Sequence, residues 1–265
     1  MSRNRTETWL ALIVVGIGLI PVAIVGLWAY MSATATPLHP NPKDAPSVIH
    51  STPPTKWADA VEQGRQIVRL GLTDQNLPGL SVAVGVGGNI VWAEGFGWAN
   101  LEKRVPVAPE TKFRIGTAST AITSAAVGLL LEEGRLGRAR PTIRAGPEPA
   151  SFSTPSDLVR FGMAINSGKL LQPATVQLLQ TSQRLSSGEE TGYGLGWDIE
   201  NVTLADKHTR WVGHDGTSFG GTLASLMTFP ERGIVVAVTS NISYTDTPAL
   251  ALKIAQAFAE HASST

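Results

Sequence analysis

The hydrophobic and polar positions of the chain form three successive patterns. Residues 9–30 are apolar and carry no charge, and as a helix they would span about 33 Å, enough to cross the hydrocarbon core of a membrane. Residues 32–55 are rich in Pro, Ser and Thr without hydrophobic periodicity, which is typical of an extended, semi-rigid linker. Periodic patterns then begin at residue 56. The sequence therefore predicts a cytoplasmic N-terminus and transmembrane anchor over 1–31, a linker over 32–55 and a folded domain over 56–262.

The folded region alternates between helical and strand-like patterns. An imperfect amphipathic helix is predicted over 56–72, and residues 79–100 predict two strands joined by a turn at Gly87 and Gly88. Further helices are predicted over 121–134, 153–168, from 172 onward and over 247–262, and further strands over 207–214, 221–229 and 233–241. This order predicts an α+β fold in which N- and C-terminal helices flank an antiparallel sheet.

The charges around residues 9–30 predict where the folded domain lies. Arg3 and Arg5 precede the apolar segment and the first basic residue after it is Lys43, so the positive-inside rule places the N-terminus in the cytoplasm. We therefore expect a single-pass protein of a bacterial inner membrane, with its C-terminal domain in the periplasm or outside the cell. The alternative is a signal peptide cleaved near residues 33–35, but the apolar core exceeds the roughly 7–15 residues usual for such peptides.

Composition excludes several classes of function. Lys plus Arg and Asp plus Glu both total 21, so the formal net charge is zero and no basic surface for nucleic acid is expected. The absence of Cys excludes disulfides, thiolate chemistry and cysteine-based metal sites. The five His have no metal-ligand spacing such as H-E-x-x-H, and no P-loop occurs. We expect no metal and no cofactor, which disfavours a metal-dependent or nucleotide-dependent enzyme.

Several stretches, taken in order, carry a family resemblance. "FRIGTAS", "GLLLEEGRL", "FSTPSDLVRFGMAINSGKLL", "TGYGLGW" and "GHDGTSFGGTLASLMTFPERGIVVAVTSN" resemble the serine β-lactamase and penicillin-binding-protein superfamily, in its class C, DD-peptidase and esterase-like branch. The likeness covers most of residues 57–260. It implies a β-lactamase/transpeptidase-like sheet with a helical domain on one side and the active site between them.

The resemblance also implies acyl-transfer chemistry. In the family's S-x-x-K motif a Ser attacks an acyl carbonyl, and the Lys one helical turn later removes the hydroxyl proton. A Tyr-x-Asn element contributes to proton transfer, and a Lys-Thr-Gly or His-x-Gly motif faces the nucleophile. Backbone N–H groups of the nucleophile and of the residue after the third motif form the oxyanion hole.

The family's motifs fall on definite positions of this chain. The nucleophile position is Thr117 and the position of the Lys is Thr120. The third motif corresponds to His214-Asp215-Gly216, and because Asp215 alternates to the opposite face of a strand, we expect no His–Asp relay. The residues that the resemblance places around a substrate are Gly116, Gly216 and Thr217.

Two of these positions depart from the family pattern in residue type. The methyl group of Thr117 crowds a site shaped for Ser, and Thr120 cannot accept a proton as a Lys does. Moving the motif to Ser119 puts Ile122 at the position of the base, which is a poorer match.

The Tyr element and most of the helical domain are missing as well. None of Tyr30, Tyr193 and Tyr244 begins a Tyr-x-Asn motif, and Tyr193 matches a structural strand motif of the family. The family normally inserts most of its helical domain where this chain has only the short interval 137–151. Loss of a segment from the gene or from its assembled sequence would give the same pattern.

These departures predict a membrane-anchored, exported family member, a pseudoenzyme with weak or no acyl-transfer activity that serves in binding or interaction. The alternative is a residual hydrolase of the esterase, β-lactamase or D-amino-acid peptidase type, which uses Thr117 with His214 on a small-molecule or peptidoglycan-like acyl substrate. Because the helix over 118–134 is apolar on most sides and has lost one cover, we also expect Leu129, Leu130 and Leu131 to be exposed. The expected result is self-association, membrane or partner contact through that face, or low stability.

Overall fold

The computed structural model describes residues 20–30, 36–136, 151–218 and 221–264. Contacts divide the chain into two units, residues 1–37 and residues 38–265, and the second unit contains the sheet and the candidate site. In the first unit residues 20–30 are helical.

The predicted localisation is wrong, because no helix within the described ranges is long and apolar enough to cross a membrane. Residues 20–30, the described part of the predicted anchor, span about 16 Å as a helix, roughly half of a hydrocarbon core. Residues 9–19 of that segment and the alternative cleavage site at 33–35 lie outside the described residues.

The second unit is built on an antiparallel sheet of eight strands with the path β1-β3-β2-β10-β9-β8-β7, and β4 pairs with β3 beside this path. A separate two-stranded sheet joins β5 and β6. The strands are β1 (Ser47–Val48), β2 (Gly79–Val86), β3 (Asn89–Asn100), β4 (Val105–Pro106), β5 (Phe113–Arg114), β6 (Phe152–Ser153), β7 (Asp198–Leu204), β8 (Lys207–Ser218), β9 (Thr222–Phe229) and β10 (Ile234–Ser240).

Five α-helices in the described part of the second unit pack around this sheet. They are α1 (Ala58–Asp74), α2 (Ser119–Glu132), α3 (Pro155–Asn166), α4 (Pro173–Leu179) and α5 (Thr247–Ser264). The terminal helices α1 and α5 cover one face, where apolar side chains of β2, β9 and β10 form the largest core. Helix α3 covers the opposite face, and α2 and α4 form a further apolar cluster beside it. The α+β fold class with an antiparallel sheet is confirmed.

Local sequence signals account for several elements. Gly87 and Gly88 adopt φ values of 58° and 84°, which a two-residue hairpin turn between β2 and β3 requires. The hydroxyl of Thr154 accepts a hydrogen bond from the backbone N of Asp157 at 3.1 Å and so caps α3, which has Pro155 at its first position. These elements lie where the sequence predicts them.

Part of the predicted linker packs on the sheet. Ser47–Val48 pairs with β3, and His39 is 4% exposed and donates from Nε2 to the carbonyl oxygen of Pro78 at 3.2 Å. His50 is exposed but lies 2.8 Å from a carboxylate oxygen of Glu110. The linker pattern does not indicate these contacts, because the sheet edge supplies partners that a local pattern does not reveal.

Helix α2 exposes less apolar surface than expected. Leu129, Leu130 and Leu131 are half-buried, Leu129 packs against the apolar cluster of α2 and α4, and Ile122 is 39% exposed. The prediction of self-association through residues 118–134 thus rests on a smaller surface, and it stays a prediction.

Candidate active site

The nucleophile position lies in a tight turn between β5 and α2. Gly116 has a φ of 51°, and residues Gly116–Ala118 form one turn of 3-10 helix that continues into α2. The Ser119 hydroxyl donates to the carbonyl oxygen of Gly116 at 2.7 Å and stabilises the turn. Ile115 and Ala118, on either side of Thr117, are buried against the sheet, so Thr117 is fixed at the start of α2.

Strand β8 presents a free backbone edge to Thr117. The pairing of β7 with β8 ends at the residue pair Asp198 and Gly213, so residues 214–218 of β8 extend beyond the end of β7. The Thr117 hydroxyl donates to the carbonyl oxygen of Asp215 at 3.2 Å and accepts from the backbone N of Thr217 at 3.3 Å. A backbone carbonyl cannot take up a proton, so these two bonds hold the hydroxyl in place without activating it.

Gly216 allows this close approach. A Cβ atom at Gly216 would lie 2.0 Å from the carbonyl oxygen of Ile115 and 2.5 Å from the backbone N of Ala118. The turn at residues 116–118 therefore packs directly on the backbone of β8, which brings Gly116, Thr117, Gly216 and Thr217 together as the resemblance implies.

Thr120, the position of the family's Lys, is covered by residues 195–197, which precede β7. A Cβ atom at Gly196 would lie 3.2 Å from the carbonyl oxygen of Thr120 and 3.3 Å from its methyl carbon, and Gly196 has a φ of 88°. The same segment is bound to α2 through Ser124, whose hydroxyl donates to the carbonyl oxygen of Leu195 and accepts from Trp197 Nε1. Thr120 thus packs against the backbone of this segment.

His214 bonds to groups other than Thr117. Its Nδ1 lies 2.5 Å from the carbonyl oxygen of Asp215 and its Nε2 lies 3.0 Å from the hydroxyl of Tyr193. The carbonyl can only accept, so the network assigns the proton to Nδ1, and Nε2 of the neutral ring accepts from Tyr193. The rings of Tyr193 and His214 meet edge to face, with centroids 5.8 Å apart.

Asp198 completes the surroundings of His214. Its carboxylate lies 3.9 Å from His214 Nδ1, and the His214 side chain is 13% exposed. Burial raises the pKa of Tyr193 above its ordinary value, and the negative charge of Asp198 raises it further. Tyr193 therefore stays protonated at neutral pH and can donate to His214.

A cavity of about 250 Å³ lies beside the nucleophile position, and its lining includes Thr117, Asp215, Thr217 and Asp246. Burial raises the pKa of Asp215, nearby Asp198 and Asp246 add to the shift, and Ser225 and His214 partly offset it. Within the described part of the chain, the buried Oδ1 atom of Asp215 has no hydrogen-bond partner.

We expect Asp215→Asn to stabilise the fold at neutral pH. A carboxyl whose pKa is raised by folding contributes stability that is present below its unfolded pKa, roughly 3.9, and is lost as pH rises through the folded pKa. Asparagine has no such loss, so the gain in melting temperature should be present at pH 7 and should shrink toward pH 3. The exposed Asp206→Asn provides the control, and a destabilised Asp215→Asn at pH 7 would contradict the expectation.

Sequence reasoning missed two residues that surround His214. Tyr193 belongs to the quoted "TGYGLGW" stretch but was assigned a structural part, and only the fold brings its hydroxyl to His214. Asp198 comes close through the pairing of β7 with β8, and β7 itself is a strand that the sequence did not predict. The catalytic and substrate-binding roles of the predicted positions stay predictions.

Curated relatives share part of this chain. Human mitochondrial serine beta-lactamase-like protein LACTB is 38% identical over 92 residues, which cover 35% of this chain and 17% of that protein. Protein flp of Staphylococcus aureus (strain N315) is 24% identical over 178 residues, 58% of this chain and 36% of that protein. The chain thus matches about a sixth to a third of these relatives' lengths.

Solved structures and a family model extend the likeness to most of the folded unit. Beta-Lactamase/D-Alanine Carboxypeptidase from Pseudomonas syringae superposes with a TM-score of 0.61 at 12% identity, covering 74% of this chain and 98% of that one. The octameric penicillin-binding protein homologue from Pyrococcus abyssi gives 0.60 at 17% identity, covering 72% of this chain and 76% of that one. These likenesses concern the fold. The Beta-lactamase family model matches residues 58–142 and 137–260, and the chain therefore belongs to the Beta-lactamase family, within the serine β-lactamase and penicillin-binding-protein-like superfamily.

Proposed function

We propose that this chain is a degenerate member of its family that keeps the active-site framework but has weak or no acyl-transfer activity. The observation that carries the proposal is the bonding of the Thr117 hydroxyl. It donates to the carbonyl of Asp215 and accepts from the N–H of Thr217, and among the hydrogen bonds of the described residues none joins it to a side chain that could take its proton. Without a base, a hydroxyl is a poor nucleophile.

The position of Thr120 supports the same proposal. A Lys one helical turn after the nucleophile would have to share the space that Thr120 now fills beside Gly196. A threonine hydroxyl, with its high pKa, does not act as a base at neutral pH. Together with the shortened interval 137–151 in a domain over 56–262, this favours loss of proton transfer over a change of catalytic residue; residues 137–150 lie outside the described part of the chain.

The framework is suited to binding rather than turnover. The free edge of β8 at residues 214–218 presents backbone donors and acceptors beside the start of α2, where the Thr117 hydroxyl bonds to Asp215 O and Thr217 N and where His214 Nδ1 also donates to Asp215 O. Family likeness suggests an acyl-bearing ligand, either a small molecule or a peptidoglycan-like peptide. In this proposal the ligand pairs with the edge of β8, and Thr117 rotates aside to release Asp215 O and Thr217 N.

One observation favours the alternative of a residual hydrolase. The backbone N–H of Thr217 lies beside the nucleophile position, 3.3 Å from the Thr117 hydroxyl oxygen, so it would be near an oxyanion formed there once it is released from that hydroxyl. In related triad enzymes, preorganised donors and binding alone leave roughly 10³–10⁴-fold acceleration over water. For His214 to act as the base, however, it would first have to release Asp215 or Tyr193, since both ring nitrogens are engaged.

Turnover of activated substrates tests the proposal. We expect the full chain to hydrolyse nitrocefin and p-nitrophenyl acetate at rates within about twofold of the Thr117→Ala variant, because Thr117 lacks a base. Thr123→Ala, which removes an exposed hydroxyl two turns along α2, is the matched control. A rate that falls tenfold or more in Thr117→Ala but not in Thr123→Ala would support the residual hydrolase instead.

A further inference from the structure

The second unit begins with residues 38–48, which we call the N-terminal arm. Arg69 of α1 holds the middle of this arm. Its guanidinium donates four hydrogen bonds of 3.0–3.3 Å, to the carbonyl oxygens of Pro42, Lys43 and Ala45 and to the hydroxyl of Ser47. Charged donors form stronger hydrogen bonds than neutral ones, and among the hydrogen bonds of the described residues all those of the Arg69 side chain go to the arm. Arg69 is therefore a specific anchor for the arm.

The N-terminal end of the arm bonds to the connector between α1 and β2, residues 75–78. The backbone N of Leu38 donates to Oδ1 of Asn76 at 2.7 Å. The buried ring of His39 donates from Nε2 to the carbonyl oxygen of Pro78 at 3.2 Å. Asn76 has a φ of 49°, a left-handed conformation that asparagine tolerates better than most residues. The connector thus receives two hydrogen bonds from the arm.

The same connector bonds to the loop between β10 and α5, residues 241–246, which we call the site loop. The hydroxyl of Tyr244 donates to the backbone carbonyl oxygen of Asn76 at 3.1 Å. The backbone N of Asp246 donates to Oε1 of Gln75 at 2.8 Å, and Asp246 also lines the cavity beside the nucleophile position. Asn76 therefore bonds to the arm through its side chain and to the site loop through its backbone.

We infer that the N-terminal arm is a conformational switch for the candidate active site. Docked on α1, the arm holds the connector, and the connector holds the site loop at the border of the cavity. When the arm leaves α1, Asn76 and Pro78 lose the donors that fix them, and the site loop loses its rigid support. Coupling of this kind is reciprocal, so a ligand that orders the site loop also favours the docked arm. The switch concerns the geometry of the site and does not depend on whether acyl transfer is lost.

Amide hydrogen exchange of the full, ¹⁵N-labelled chain tests this switch, because exchange reports local opening residue by residue. Arg69→Leu removes the anchor of the arm and keeps a good helix former in α1. The amides of Leu38 and Asp246 should each exchange roughly tenfold faster or more than in the wild type. The amide signal of Thr217, beside the same cavity, should shift. Gly188, in a turn outside these contacts, should keep its exchange rate within about twofold.

Several results would overturn the inference. Faster exchange of Leu38 without faster exchange of Asp246 would show that the arm docks without acting on the site loop. Unchanged exchange of both would show that the arm is not anchored as described, and an unshifted Thr217 signal would show that the effect does not reach the candidate site. If the amide of Asp246 is as protected as that of Val84 in the central strand β2, the site loop opens only with the whole domain, and no switch exists.

Two variants that leave the anchor in place test the connector itself. Asn76→Gly removes the acceptor of Leu38 N but keeps the left-handed conformation and the carbonyl oxygen of the connector. The amides of Leu38 and Asp246 should then exchange roughly threefold faster or more. Tyr244→Phe removes a bond from the site loop and, by reciprocity, should speed the exchange of Leu38 by a similar factor. Arg160→Leu, which removes an exposed ion pair on α3, is the control and should change neither rate. An unchanged Leu38 amide in Tyr244→Phe would contradict the coupling.

Discussion

Replacing Gly216 by alanine is expected to lower the free energy of unfolding by about 3 kcal/mol or more, and the melting temperature by roughly 6–12 °C. The added Cβ would lie 2.0 Å from the carbonyl oxygen of Ile115 and 2.5 Å from the backbone N of Ala118. Both are backbone atoms in a buried turn, so no side-chain rotation relieves the overlap. The turn must move away from β8, and the hydrogen bonds of Thr117 to Asp215 and Thr217 should be lost with it.

The same substitution in α2 provides the control. A Cβ atom at Gly128 would lie 3.1 Å from methyl groups of Leu171, Leu179 and Thr175, which can shift by a few tenths of an ångström. Alanine also favours the helix over glycine by about 1 kcal/mol, which offsets the tight contact. Urea unfolding should therefore show a change below about 1 kcal/mol in Gly128→Ala. An equally small change in Gly216→Ala would mean that the turn does not pack on β8 as described.

Truncation of Trp197 should be the most destabilising change in the segment next to the site. Trp197 is fully buried, stacks on Phe161 with ring centroids 6.0 Å apart and donates from Nε1 to the hydroxyl of Ser124 at 3.0 Å. Trp197→Ala opens a large cavity between α2, α3 and β8, so we expect a loss of about 3–5 kcal/mol in the free energy of unfolding, measured by urea denaturation. The Tyr193–His214 contact should loosen at the same time.

A conservative variant separates volume from hydrogen bonding. Trp197→Phe keeps most of the apolar volume and removes the N–H, so the Ser124 hydroxyl loses one donor and the expected cost is about 1–2 kcal/mol. The imidazole signals of His214 should shift in Trp197→Ala and change little in Trp197→Phe. Equal losses in the two variants would show that the hydrogen bond, and not the packing, holds the segment to α2.

Local signals in the sequence were sufficient for the main elements. The glycine turn of the β2–β3 hairpin, the capped start of α3 and the amphipathic pattern of α1 depend on neighbouring residues, and each formed where predicted. Strand β7 was missed because its side chains are mostly exposed or half-buried, so "DIENVTL" lacks an alternating apolar pattern. The burial of His39 depends on Pro78, which lies 39 positions away, and no local pattern contains that contact.

The candidate site, like the fold, could be predicted from the sequence only in part. The resemblance implied that Thr117 would face the third motif, and the structure places its hydroxyl on the backbone of Asp215 and Thr217. The partner of His214 could not be predicted, because the hydroxyl of Tyr193 comes within hydrogen-bond distance of His214 only in the folded chain, where the segment before β7 passes close to β8.

The contacts that form the candidate site do not involve the side chains that acyl transfer would require. Close packing at Gly216 and Gly196 and the hydrogen bonds of Ser119 and Ser124 fix the turn, the edge of β8 and the covering segment. None of these contacts needs a working nucleophile. The proton acceptor of the family, by contrast, is a single side chain, and in our proposal Thr120 at its position on α2 leaves this packing intact while proton transfer is lost.

Formation of an acyl-enzyme is the most direct test of this loss. The full chain is incubated with a fluorescent penicillin, and its intact mass and peptide map are compared with those of Thr117→Ala. We predict that neither protein gains a covalent adduct, because the Thr117 hydroxyl has no base to remove its proton. An adduct that maps to Thr117 and is absent from Thr117→Ala would contradict the proposed loss of acyl transfer.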